Sequence, residues 1–371
     1  MWRGVLNRIK LKRHHNIASI IFHDYLPSRR SINTEIHSYL NRPVSIGGKI
    51  APGRLFLAPM AGYGHVAFRE LIAGYGGCGL LFSEMCSARA VPNENPLFSP
   101  VFRWRDEELP GLVCQIFGGE PDVMAAAARR VEAEGFFGVD INFGCCVAAI
   151  CKQNAGAALL KTPEKAAAIV RAVRQAVSIP VSVKFRTGWT DDAATAVDHA
   201  RRFEDAGADA LTFHPRVAPD RRSRPPRWAY IGKVKQAVSI PVFGNGEVFE
   251  PADCLRMFSE TGCDGIAIGR IALARPWVFA EWTQGYIPDA DIYRCCALQM
   301  LDLLVRHYGP VTGQRRFRKW AVFFTAGFKF GHRFSAIIRS AVDLPALREE
   351  IDRIFGTPQE LVARPNMNMF R

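Results

Sequence analysis

The chain has 371 residues, 49% of them hydrophobic, and a formal net charge of +13 at neutral pH. That apolar share excludes global disorder, and no apolar stretch reaches the roughly 20 residues that a membrane helix requires. The ten cysteines include no C-x-x-C pair, so a secreted disulfide framework is not expected and a reduced cytoplasmic setting fits best.

The first 45 residues hold eight Lys/Arg against two acids, with no acid before Asp24. The apolar run "IASII" is too short for a signal peptide. Residues 1–44 therefore read as a basic, poorly ordered extension, with a mitochondrial presequence as the alternative.

From residue 45 to 288 short apolar runs alternate with amphipathic segments of helix length. Eight strands are predicted: "RLFLAPM" (54–60), "LLFSE" (80–84), "LVCQIFG" (112–118), "VDINFG" (139–144), "VSVKFRTG" (181–188), "ALTFH" (210–214), "VFGNG" (242–246) and "GIAIGR" (265–270). They are continuously apolar rather than alternating, as parallel strands covered on both faces are. Residues 121–135, 162–177 and 191–207 read as helices, the first with Pro121 at its start and Gly135 at its end. "QAVSIPV" occurs at 175–181 and again at 236–242, each time where a helix runs into a strand. Eight such units close into a (β/α)8 TIM barrel. A doubly wound open sheet is the runner-up, but it would want a G-x-G-x-x-G turn after its first strand, which "APMAGYGHVAF" lacks. Residues 289–371 lose the strand signal. There 291–309, 313–330 and 340–356 read as helices of a second, all-helical domain.

In such a barrel the chemistry sits at the C-terminal ends of the strands. Those ends carry Ala58, Pro59 and Met60, then Gln115, Asn142, Lys184 with Arg186, His214 with Arg216, Asn245 with Gly246, and Gly269 with Arg270. Glycine-containing turns after the last two strands expose backbone N–H groups suited to a phosphate, with Arg270 as charge partner. A phosphate at one side and Gln, Asn, Lys and His donors at the other suit a flavin mononucleotide, with Lys184 placed to stabilise the reduced ring. Adjacent thiols at Cys145 and Cys146, with Cys151 beyond, admit three readings: a metal site, a catalytic thiol, or small residues that fit. A metal is disfavoured because adjacent cysteines rarely chelate one zinc and no His cluster follows.

The positive charge is placed unevenly. Residues 306–339 hold eight Lys/Arg and no acid, and residues 215–235 hold seven against one. A polyanion is the natural partner, and solubility alone is the bland alternative. Helical spacing buries Phe317, Trp320, Phe323 and Phe324 and leaves Arg315, Arg316, Arg318 and Lys319 outside as a surface for the polyanion. The stretch "FHPRVAPDRRSRPPRW" (213–228), with Arg216, Arg221, Arg222, Arg224 and Arg227, reads as a second backbone-contacting loop.

"APMAGYGHVAFRELI", "SEM", "DINFGC", "KQNAGAALLKTPE", "IPVSVKFRTGW", "LTFH", "IPVFGNGEV" and "GIAIGRIALARPWVF" together resemble the flavin-dependent tRNA-dihydrouridine synthases, nearest to their bacterial B-type branch. The resemblance implies an FMN barrel with a helical RNA-binding domain, acting as a monomer on tRNA, with rRNA as the alternative substrate. It implies NADPH as reductant, hydride delivery to uridine C6, and protonation of C5 by the thiol of a Gly-Cys-Pro turn, here Cys145. Cys146 departs from that pattern, since proline would fix φ there. Two rivals stand beside this reading: a flavin-barrel reductase of small pyrimidines or enones, and an RNA-binding protein without turnover.

Overall fold

The computed structural model describes residues 29–218, 220, 224–362 and 364–365. Eight parallel strands form the barrel: β1 (Leu55–Leu57), β2 (Leu81–Phe82), β3 (Leu112–Phe117), β4 (Gly138–Phe143), β5 (Val181–Gly188), β6 (Ala210–Val217), β7 (Val242–Asn245) and β8 (Gly265–Ile268). Each pairs with its chain neighbour from β3 onward, β8 returns to β1, and β2 pairs with β3. The last gap is closed by a parallel bridge from Phe56 to Leu80, with Leu57 N–H donating to the Leu80 carbonyl at 3.0 Å. The eight predicted strands are thus all present, and a closed barrel excludes the open-sheet alternative.

Helix α1 (Arg29–Leu40) precedes the barrel. The expected disordered extension to residue 44 is corrected here, because Ile36 and Leu40 are fully buried against the barrel helices. Residues 1–28 lie outside the described residues. An antiparallel hairpin, Val44–Ile46 with Lys49–Ala51, then crosses the N-terminal end of the barrel. Its Val44, Ile46 and Ala51 join Phe56, Phe82, Val113, Phe137 and Phe243 in a plug of side chains inside the barrel. The barrel is therefore a packed core at this end, and only the opposite mouth is available to a ligand.

The outer helices are α2 (Val66–Tyr75), α3 (Pro121–Ala133), α4 (Pro163–Ala176), α5 (Ala193–Asp205), α6 (Ala229–Ala237) and α7 (Pro251–Thr261). After β2 there is only a short bridge strand, Cys86–Ser87, and two 3-10 turns. The sequence echo has a structural cause. Ser178 donates its N–H and hydroxyl to Glu132 at the end of α3, at 2.7 and 2.6 Å. Ser239 does the same to Glu204 at the end of α5, at 2.7 and 2.5 Å. Asp209 and Asp264 complete the motif by accepting the N–H of Val181 and Val242, each at 2.8 Å. The repeat is a latch that ties the end of α3 to the chain entering β5 and the end of α5 to the chain entering β7.

The tail is helical, as predicted, but partitioned differently. One element, α8 (Ile292–Phe324), spans both expected helices and kinks at Gly309, whose φ of 74° is left-handed, followed by Pro310. It ends at Phe324 rather than continuing to 330, and α9 (Gly331–Ser340) and α10 (Leu344–Phe355) follow. Phe317, Trp320 and Phe324 are buried, with Trp320 and Phe324 stacked at 4.3 Å, so these aromatics are core. Among the described residues no helix is long and apolar enough to cross a membrane.

Candidate active site at the barrel mouth

Alternate residues of a barrel strand point inward. On β5 these are Ser182, Lys184 and Arg186, on β4 Asp140 and Asn142, on β6 Thr212 and His214. Register places Asn142 beside Lys184 and Arg186 beside His214. A cavity of about 200 Å³ opens at the mouth, lined in part by Ala58, Pro59, Met60, Lys184, His214, Asn245, Gly246, Gly269 and Arg270. Nine of the thirteen strand-end residues named above therefore meet in one place. Gln115 is not among them.

Gln115 lies deeper and is 1% exposed. Its amide nitrogen donates to Asp140 at 2.6 Å and its oxygen accepts from Asn142 at 2.8 Å. Ser182 donates to the other Asp140 oxygen at 2.6 Å. Burial raises the Asp140 carboxyl to about 6. Asp140 and Ser182 were not singled out in the sequence, although the period-2 pattern that selects Asn142 and Lys184 also selects them.

The network ends on the cysteine turn. Asn142 Oδ1 accepts the N–H of Gly144 at 3.1 Å and of Cys145 at 2.9 Å. Asn142 thus braces the turn from inside the barrel and is 7% exposed. Arg186 Nε donates to the Gly144 carbonyl at 2.9 Å, bracing the same turn from β5. The Cys145 carbonyl accepts from Ala157 at 2.9 Å. A Cβ on Gly156 would stand 2.6 Å from that oxygen, so the approach needs glycine at a φ of +61°. Burial pushes the half-buried Cys145 thiol above its ordinary pKa, which keeps it protonated at neutral pH. Such a thiol is suited to donate a proton rather than to attack as a thiolate. Cys146 and Cys151 remain free, and no metal-binding group of His, Cys, Asp and Glu occurs among the described residues.

Lys184 is enclosed by protein except where it faces the cavity. Desolvation first, then the Arg186 charge, lower its pKa to about 8. Among the described residues its ammonium has no hydrogen-bond acceptor. Burial and the cations Arg186 and Lys184 hold His214 well below the ordinary imidazole range, so the ring is neutral, and its Nε2 is buried without a partner. A Cβ on Gly246 would meet the His214 ring at 2.8 Å. Glu247 follows in the left-handed region, with φ 55°. A non-glycine residue held there at a site mouth is the kind of strain that function maintains. These unpaired donors fit a ligand with a polar heterocycle and a phosphate, as a flavin mononucleotide has.

Several cations read from sequence as RNA contacts are otherwise engaged. Arg216 is 1% exposed and its guanidinium pairs with Glu247. It belongs inside the mouth, which corrects its place on the RNA surface. Arg316 stacks on Tyr308 at 4.2 Å, donates to the Pro100 carbonyl at 3.1 Å and stands 3.8 Å from Glu84. It docks the tail on the barrel. Arg318 donates to the Ala341 carbonyl within the tail. Arg227 pairs with Asp191. Arg315 and Lys319 remain exposed, with Lys319 over the Tyr63 ring at 4.6 Å, at the loop after β1. Arg221 and Arg222 lie outside the described residues. Glu84, missed in the sequence, is 3% exposed, and burial raises its pKa although Arg316 lies near.

Residues 56–351 match the profile of the family described as dihydrouridine synthase (Dus). The chain is 37% identical over 330 residues to a probable tRNA-dihydrouridine synthase of Mycobacterium tuberculosis, covering 81% of this chain and 82% of that one. It is 35% identical over 323 residues to tRNA-dihydrouridine synthase B of Pseudomonas aeruginosa, covering 85% and 97%. Among solved structures, histamine dehydrogenase from Rhizobium sp. 4-9 superposes with a TM-score of 0.54 at 15% identity, covering 72% of this chain and 51% of that one. The old yellow enzyme homologue from Zymomonas mobilis gives 0.50 at 13%, covering 67% and 94%. At that identity the likeness is one of fold.

Proposed function

The chain belongs to the dihydrouridine synthase family, and from that premise we propose that it reduces a uridine of tRNA to 5,6-dihydrouridine with FMN as cofactor and NADPH as reductant. The observation that carries this reading is the protonated Cys145 thiol on a turn braced by Asn142 and Arg186, beside a cavity whose Lys184 and His214 donors lack protein partners. Bound flavin, once reduced by NADPH, supplies the hydride for uridine C6. Lys184 and His214 would hold the polar edge of its ring, and Arg270 with the Gly246 and Gly269 turns its phosphate. Cys145 gives its proton to C5 and is reprotonated from solvent at the open mouth. The enzyme is an oxidoreductase that works as a monomer in the cytoplasm. Residues 289–371 form its RNA-binding domain, with Arg315 and Lys319 beside the mouth giving the backbone contacts.

The test is nucleoside mass spectrometry of tRNA and rRNA from cells with and without the gene, complemented by wild type or Cys145→Ala. Dihydrouridine missing from tRNA, and restored only by wild type, is expected. Loss from rRNA alone would move the enzyme to the other substrate, and no loss in either would revive the small-molecule and non-catalytic readings. Purified Cys145→Ala should still bind flavin and oxidise NADPH. Full uridine turnover in that variant would remove the thiol from the mechanism.

A further inference from the structure

Beyond α10 the chain turns back across the molecule. Lys329 N–H donates to the Glu360 carbonyl at 2.8 Å and Val362 N–H to the Gly327 carbonyl at 2.9 Å, with Leu361 bridged antiparallel to Phe328. This pairing fixes the arm on the helical tail and brings Arg364 to the barrel. There Arg364 Nη2 stands 3.3 Å from the Glu247 carbonyl and 3.3 Å from Asp253 Oδ2. Its guanidinium lies 4.9 Å from the Phe249 ring centre, and the Arg270 guanidinium lies 5.4 Å from the same ring. Pro365, next in the chain, is buried.

The loop that Arg364 touches is the turn after β7. Three of its carbonyls and one N–H are engaged outward. The Gly246 carbonyl accepts from Trp228 at 2.9 Å, the Phe249 carbonyl from Arg275 at 3.1 Å, and the Phe249 N–H donates to Asp253 at 2.9 Å. The Glu247 side chain is held by Arg216 from within the barrel. Its carbonyl is held by Arg364 from the arm. Among the described residues the N–H groups of Glu247 and Val248 have no partner. With the Gly246, Glu247 and Phe249 carbonyls drawn to outer donors, the unpaired Glu247 and Val248 N–H groups are left to face the mouth as an anion cradle.

We infer that Arg364 is a positioning residue for the phosphate of the cofactor, through which the C-terminal arm of the helical domain braces the cradle after β7. This inference rests on the flavin reading proposed above. Arg364 acts through Glu247 and Phe249 and does not touch the flavin ring, so its removal should affect phosphate recognition and leave ring recognition alone.

Full-length wild type and Arg364→Ala are titrated with FMN and with riboflavin, which lacks the phosphate, by quenching of flavin fluorescence. Loss of a charge-assisted brace should weaken FMN binding about tenfold in the variant. Riboflavin affinity should stay unchanged. Equal FMN affinity in the two proteins overturns the inference and leaves the flavin reading standing. Equal weakening of both flavins also overturns it, because a general loosening of the mouth would do that. A wild-type protein that binds neither flavin overturns the flavin reading and the inference with it.

Discussion

Replacing Lys184 with methionine should stabilise the flavin-free protein while impairing the enzyme. The side chain keeps its length but loses a cation that the fold holds at a pKa of about 8 instead of 10.5. Each unit of that difference is about 1.4 kcal/mol, so the charged form costs the folded state about 3 kcal/mol. Water reaches the mouth, and Asp140 loses a favourable neighbour in the variant, so about 2 kcal/mol is the realistic gain at pH 7. For a chain of this size that raises the melting temperature by about 2–3 °C. The pH dependence fixes the cause. Below pH 8 Lys184 is charged in both the folded and the unfolded chain, and its full cost is present. As pH rises from 8 to 10.5 only the folded state sheds the proton, and the wild-type penalty disappears. The gain in Lys184→Met should therefore be largest near pH 7 and shrink to a small fraction by pH 10, read by differential scanning fluorimetry of the flavin-free proteins. Uridine turnover should fall in the same variant, because it lacks the cation proposed to stabilise the reduced ring. A variant that melts lower at pH 7, or whose gain persists unchanged at pH 10, would refute this account of Lys184.

Asn142→Ala removes the acceptor for the Gly144 and Cys145 N–H groups; uridine turnover should drop about tenfold or more at unchanged flavin content, measured under single-turnover conditions. Gly246→Ala places a methyl group 2.8 Å from the His214 ring at a φ of +118°, so the purified variant should carry little flavin, as its absorbance spectrum would reveal. Arg315→Glu with Lys319→Glu should weaken tRNA binding and lower the salt slope by about 2, provided both contact phosphates; filter binding across a salt series checks it. Arg316 is excluded from that pair because its charge is spent on Glu84 and Pro100.

Much of this molecule was legible in its sequence. Buried runs of strand length mark all eight strands because a parallel strand covered on both faces must be apolar along its length. The repeated "QAVSIPV" marks two βα units because its serine, at the same place in each, closes the same latch to the helix of the unit before. The residues of the mouth follow from their position at strand ends, since closing the barrel brings those ends together. Phe317, Trp320 and Phe324 are core because helical periodicity alone assigns them a face.

The fate of individual cations was decided by contacts that no local pattern encodes. Arg216 reads as one of a run of arginines, yet Glu247, distant in the chain, draws it into the mouth. Arg316 and Lys319 lie one helical turn apart on α8, and only the seating of that helix over Glu84 and Tyr63 engages the first and leaves the second exposed. Gln115 sits at a strand end like the cofactor residues, but Asp140 and Asn142 use its amide from the neighbouring strand. Arg364 carries no sequence signal, and the path of the arm alone brings it to Glu247. Periodicity, capping and turn chemistry act over a few residues and so are written in the sequence. Ion pairs and buried hydrogen bonds between distant segments are set by how the closed barrel and its helical tail pack, and that packing decides which charges remain for RNA and which hold the site in place.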